Sequence, residues 1–126
     1  MLRLSENQSP VRVVDDQRGT PTSASDLAAA ILEIVRQLAS NNLSGNAGIY
    51  HLAGQGEATW HSFAASIFAG LASRGRTTEQ YPTPSQRPAN SCLDSSKAEN
   101  VFGIRLASWQ ASLEECLDQL MGREGP

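Results

Sequence analysis

The sequence has little lysine, little cysteine and no long apolar run. Nine of its ten basic residues are arginine, which leaves Lys97 as the sole amine side chain. Ten basic residues against thirteen acidic ones give a net charge of -3, mixed along the chain rather than gathered in a block. A positive face for wrapping phosphate backbones is therefore excluded, and nucleic acid is not an expected partner. Cys92 and Cys116 stand far apart without Cys-x-x-Cys spacing, which argues for isolated thiols in a reducing compartment rather than a bridge or a zinc site. No stretch approaches the ~20 apolar residues of a membrane helix, and the N-terminus lacks the core of a secretion signal. The expectation is a soluble, cytoplasmic chain with no membrane partner. What is present is 126 residues, 40% hydrophobic and 18% charged, one domain's worth of material. A chain of that size buries roughly two-thirds of its unfolded surface without disulfide or metal staples.

Strand signals alternate with helix signals, so the expected fold class is α/β, a small α+β-like unit of short strands with about four helices. Residues 11–14 read as a short strand that breaks at Asp15, Asp16, Gln17, Arg18, Gly19, Thr20, Pro21 and Thr22. Ser23 precedes Asp26 by three residues, the spacing of a helix N-cap with an acid in the first turn. Leu27, Ile31, Ile34, Val35 and Leu38 then recur at helical spacing and make one apolar face. Residues 49–53, Ile-Tyr-His-Leu-Ala, have the length and composition of a buried strand. Thr59 opens a second helix that turns Trp60, Phe63, Ala64, Ile67, Phe68 and Leu71 inward. Pro82, Pro84 and Pro88 favour an extended stretch before a short helix that starts at Asp94 or Ser95 and that Gly103 ends in left-handed geometry. Ser108 precedes a last helix with Trp109, Leu113, Cys116, Leu117 and Leu120 inward.

Several chemistries are excluded by spacing. The Tyr-x-x-x-Lys pair that eases tyrosine ionisation in reductive catalysis is absent: Tyr50 is followed four positions on by Gly54, Tyr81 by Ser85, and Lys97 is preceded by Leu93. Gly45, Gly48, Gly54 and Gly56 do not fit a dinucleotide fingerprint, and neither a P-loop nor Gly-x-Ser-x-Gly occurs. His51 and His61 sit at no ligand spacing from a second His or a Cys, so they read as ordinary core or surface histidines. Glu114, Glu115 and Asp118 read as a solvated acidic face, and Trp60 and Trp109 as core.

Two segments invite a further reading. Asp16 to Thr22 crowds a carboxylate, an amide and hydroxyls just ahead of a helix N-terminus, which suits either a polar ligand or plain turn and cap chemistry. Arg87, Asn90 and Ser91 offer a guanidinium able to grip a diphosphate and polar groups for a sugar or base edge. The same Arg87 could equally pin a Pro-rich crossover to backbone carbonyls.

Together with residues 48–54 and 59–64, these two segments resemble the C-terminal half of the dTDP-4-dehydrorhamnose reductase family. Its Val-x-Asp-Gln-x-Gly-x-Pro-Thr pattern is matched by residues 14–22, its Tyr-His-Leu-Ala-Gly strand by 50–54, and its Arg-Pro-x-Asn-Ser-x-Leu-Asp pattern by 87–94, with Trp109 and Leu113 also in step. The resemblance runs from about Leu2 to Met121. It implies an extended short-chain dehydrogenase with a Rossmann-type fold, of which residues 1–126 are a single C-terminal substrate-binding domain, while the N-terminal dinucleotide-binding domain lies outside this sequence. It further implies reduction of a dTDP-4-keto sugar with NADPH to give dTDP-L-rhamnose for surface polysaccharide. The residues that would hold NADPH and the catalytic Tyr and Lys belong to that other half, so the chain alone is expected to be inert. Asp16, Gln17, Thr22, Arg87, Asn90 and Ser91 are carried over as substrate-binding residues. Some members use magnesium, for which no ligand is assigned. A relative serves as the regulatory subunit of methionine adenosyltransferase, so a non-catalytic interaction module is the alternative, and self-association through exposed apolar faces is expected.

Overall fold

The computed structural model describes residues 13–40, 46–72 and 88–122. Among them the order of elements is β1 (Arg18–Gly19), α1 (Ala24–Ser40), β2 (Ala58–Thr59), α2 (Trp60–Ala72), α3 (Ser96–Phe102) and α4 (Trp109–Gly122). Local chemistry starts and stops the helices much as the sequence predicts. The Ser23 hydroxyl accepts the Asp26 amide at 3.3 Å, and the Ser23 carbonyl accepts the Leu27 amide. Thr59 caps α2 by accepting the Ser62 amide at 3.0 Å, and the Ser62 hydroxyl accepts the Thr59 amide in return. The Asp94 carboxylate accepts the Ser96 amide at the start of α3, and Gly103, at φ 66°, closes that helix through its amide to the Glu99 carbonyl.

The sheet is minimal. β1 and β2 are two residues each and pair antiparallel, Arg18 opposite Thr59 and Gly19 opposite Ala58. A parallel bridge between Arg18 and Asn90 extends it on the other side, with the Arg18 amide donating to the Ala89 carbonyl and the Ser91 amide to the Arg18 carbonyl. Gln55 and Ser108 form a second such bridge ahead of α4. The core lies between α2 and α4. Ile67, Leu71 and Leu117 are buried there, with Phe63, Phe68, Leu113 and Met121 packed around them. α1 is joined to the rest by polar contacts, Ser112 donating to the Asp26 carboxylate and Gln37 to the Phe102 carbonyl. No helix is long and apolar enough to cross a membrane among the described residues.

The structure departs from the sequence reading in four places. Residues 49–53 form no strand: Ile49 is 81% exposed and its carbonyl accepts from Lys97 Nζ, while the Ala53 amide donates to Ser95 Oγ. These backbone groups are satisfied by side chains instead of a neighbouring ladder. The expected strand at residues 11–14 is also missing over Val13 and Val14, where the Val14 carbonyl instead accepts the His61 amide, and residues 11 and 12 lie outside the described residues. The apolar face of α1 is largely open, with Ile31, Val35 and Leu38 about half exposed and Ala30 alone buried on that helix. Finally, Trp60, Cys116 and Leu120 are not core residues. α4 meets α2 along a narrow stripe through Trp109, Leu113 and Leu117, so positions off that stripe face water.

Candidate functional site

After Val14, whose carbonyl accepts the His61 amide, a bend at residues 15–16 leads into β1 alongside β2. It is held on both sides. Toward residues 88–91, the Arg18 carbonyl accepts both the amide and the hydroxyl of Ser91. On the other side, Gly54 presses against Pro21 so closely that a Cβ on Gly54 would lie 2.2 Å from the Pro21 carbonyl oxygen. Only glycine permits that approach. The Thr22 hydroxyl completes the clasp, donating to the Thr20 carbonyl at 2.9 Å and accepting the Gly54 amide at 3.0 Å.

Held this way, residues 19–22 form one wall of a cavity of about 370 Å³. Ala58, Thr59, Trp60 and Phe63 from β2 and α2 form the second wall, and Ser91 and Leu93 close it. Phe63 packs against Trp109 with ring centroids 5.6 Å apart and the two rings nearly perpendicular. Trp60 and Leu93 stay about half exposed at the mouth. On the rim, Arg18 pairs with Glu57 at 3.6 Å, and the Asp15 carboxylate accepts the Thr59 hydroxyl and faces His61 Nδ1 at 3.9 Å. Partial burial pushes the nearby Cys92 thiol up, helped by the Glu57 carboxylate. No acid, base or amine side chain lines the cavity among the described residues.

Of the residues named from sequence, Thr22 and Ser91 line this cavity. Asp16 and Gln17 stand at the start of the same bend but outside the lining, with Asp16 exposed and Gln17 half-buried. Asn90 is turned to its own backbone, its side-chain oxygen accepting the Cys92 amide at 2.9 Å. Arg87 lies outside the described residues. Sequence reasoning missed Trp60, Phe63 and Leu93 as cavity residues. A signal was available for Trp60, since an N-cap threonine puts it in the first turn of α2, at the end that meets the bend rather than the α4 interface.

β2 runs straight into α2 with no glycine between them, so this strand–helix junction does not provide the turn that cradles a dinucleotide diphosphate. For a metal, no group of three or more His, Cys, Asp or Glu converges among the described residues, and Glu114, Glu115 and Asp118 are solvent-exposed as expected. Among the described residues, then, the β2–α2 junction offers NADPH no diphosphate turn and no side-chain cluster offers magnesium a site.

The described residues form a small α/β unit with an open cavity between residues 19–22 and α2. The family model described as RmlD substrate binding domain matches residues 1–121. The chain belongs to that family. A dTDP-4-dehydrorhamnose reductase of Sinorhizobium fredii is 42% identical over an alignment of 120 positions, gaps included, that covers 89% of this chain and 40% of that protein. The crystal structure of a dTDP-4-dehydrorhamnose reductase from Clostridium acetobutylicum superposes with a TM-score of 0.74 at 30% identity, over 95% of this chain and 42% of the other. That of the Bacillus anthracis reductase, solved in complex with NADP, gives 0.68 at 27% identity, over 90% and 39%. The fold is thus a small α/β unit, four helices with a short sheet among the described residues, that matches one part of these reductases, and the chain spans about two-fifths of the length of these relatives.

Proposed function

We propose that this chain is the C-terminal, substrate-side domain of an NADPH-dependent dTDP-4-dehydrorhamnose reductase, a cytoplasmic enzyme that makes dTDP-L-rhamnose for surface polysaccharide. Its role is to hold the dTDP-sugar while the hydride donor and the proton-transferring side chains come from outside these residues. The observation that supports this most directly is the cavity between residues 19–22 and α2, in a chain whose family model is a substrate-binding domain. The lining offers hydroxyls and aromatic side chains, which suit a sugar nucleotide, and among the described residues it holds no carboxylate, imidazole or amine.

The test is titration of the isotopically labelled 126-residue chain with dTDP-L-rhamnose, followed by NMR. Shifts are expected at the amides of Gln17, Thr20, Thr22, Trp60 and Ser91. An unaltered spectrum at millimolar ligand refutes the reading. The chain alone is expected not to oxidise NADPH in the presence of the keto sugar, and measurable turnover would contradict its role as a binding half.

The open apolar face of α1 favours a second reading, a module that acts through protein contacts in the manner of the regulatory subunit of methionine adenosyltransferase. Capture of a defined partner by that face, with no response to the sugar nucleotide, would favour it.

A further inference from the structure

We infer that Asp15, which stands outside the cavity, is a positioning residue for it: through the Thr59 hydroxyl, its carboxylate pins the bend ahead of β1 to the start of α2 and so holds the two cavity walls together. This rests on the substrate-side reading and extends it to a side chain that does not line the cavity.

β1 and β2 join the two walls, yet they pair over two residues each, too short a ladder to hold by itself. Further holds lie at either end. Beyond Gly19, Thr22 is tied to the Gly54 amide, and Ser91 to the Arg18 carbonyl. Ahead of Arg18, the chain is fastened at the start of α2, where the Val14 carbonyl accepts the His61 amide at 3.1 Å and the Asp15 carboxylate accepts the Thr59 hydroxyl at 2.5 Å. The first of these contacts is made by backbone and is open to any residue. The second needs an acceptor side chain at position 15.

Thr59 carries this hold into the cavity, because it belongs to the lining while Asp15 does not. Its hydroxyl proton has two acceptors within reach, Asp15 at 2.5 Å and Ser62 Oγ at 3.2 Å, and the nearer, charged one binds it more strongly. Ser62 Oγ in turn gives its own proton to the Thr59 carbonyl. The Thr59 oxygen also accepts the Ser62 amide as the cap of α2, so its proton and one lone pair are both directed by neighbours. The charges nearby are compatible with this hold. The amide end of α2 favours a carboxylate at that place, His61 Nδ1 lies 3.9 Å from it, and Arg18, paired with Glu57 at 3.6 Å, lines the same recess as Asp15, Thr59 and Ser62. The Asp15 side chain is 70% exposed and fills no core, so pinning is what its contacts achieve.

The experiment compares the labelled 126-residue chain with Asp15→Ala and Asp15→Asn, substitutions that empty no core site. Without ligand, Asp15→Ala should shift the amides of Gly19, Thr20 and Thr22. Asp15→Asn, whose side-chain oxygen still accepts the Thr59 hydroxyl, should leave them near their parent positions. In titrations with dTDP-L-rhamnose, Asp15→Ala should weaken binding about threefold, because a wall in place for part of the time lowers affinity by that fraction, and Asp15→Asn should restore it to within a factor of about 1.5. Unchanged affinity or unshifted wall amides in Asp15→Ala, or equal losses in both variants, would overturn the inference and leave the substrate-side reading standing. A parent chain that binds no dTDP-L-rhamnose would bring down that reading, and the inference with it.

Discussion

Gly54→Ala is the substitution on which the described geometry commits itself most. The added methyl would be centred 2.2 Å from the Pro21 carbonyl oxygen and 3.3 Å from its carbon. A carbon–oxygen contact settles near 3.3 Å, so the two backbone segments must part by about 1 Å. Neither is the tip of a flexible side chain, and the movement is therefore not cheap. Parting them stretches the 3.0 Å bond from the Gly54 amide to the Thr22 hydroxyl beyond use, a loss of about 1 kcal/mol. Forced repacking in a tight site adds about 1–3 kcal/mol. A destabilisation of about 2–4 kcal/mol is expected in guanidinium denaturation, seen as a lower midpoint at unchanged slope. Thr22→Val, which deletes the hydroxyl at nearly constant volume, should cost about 1 kcal/mol, and Thr22→Ser much less. The double variant should fall short of the sum, because one hydrogen bond can be lost only once. A Gly54→Ala midpoint within about 0.5 kcal/mol of the parent, or strict additivity with Thr22→Val, would refute the clasp.

Three further outcomes follow from other elements. Gly103→Ala meets no neighbour within 4 Å but sits at φ 66°, so it should cost about 1 kcal/mol from backbone strain alone, and an unchanged thermal midpoint would contradict the left-handed cap. The Ser96 amide, donating to Asp94, holds that carboxyl below the usual aspartate value. Its stabilising contribution is therefore present above the unfolded-state pKa and lost as pH falls through the lower folded-state value. Asp94→Asn should flatten this part of the acid unfolding curve, and an Asp94 titration at or above the ordinary value would contradict the assignment. The open face of α1, with Ile31, Leu32, Val35 and Leu38 each about half exposed, should drive self-association of the isolated chain. A sedimentation coefficient that rises with concentration is expected, and monomer behaviour over a hundredfold dilution would contradict it.

The helices were legible because their signals are local. Ser23, Thr59 and Ser108 act through backbone amides within three residues, and Gly103 through its own φ, so spacing alone locates these ends. The family patterns at 14–22 and 87–94 were legible for a similar reason, being short runs whose order along the chain survives without any knowledge of their contacts. Whether residues 49–53 pair as a strand depends on a neighbour, and among the described residues Lys97 and Ser95 take backbone groups that a ladder would have used. Composition could not reveal that. The cavity likewise depends on where Gly54 lies against Pro21 and on which carbonyl each hydroxyl chooses, contacts made across 32 and 73 positions of chain. Sequence by itself therefore determined the helix ends and the family, since those reside in neighbouring residues. Only tertiary packing decided that Thr22, Ser91, Trp60 and Phe63 line one cavity, because a side chain's place there is set by distant backbone that spacing does not encode.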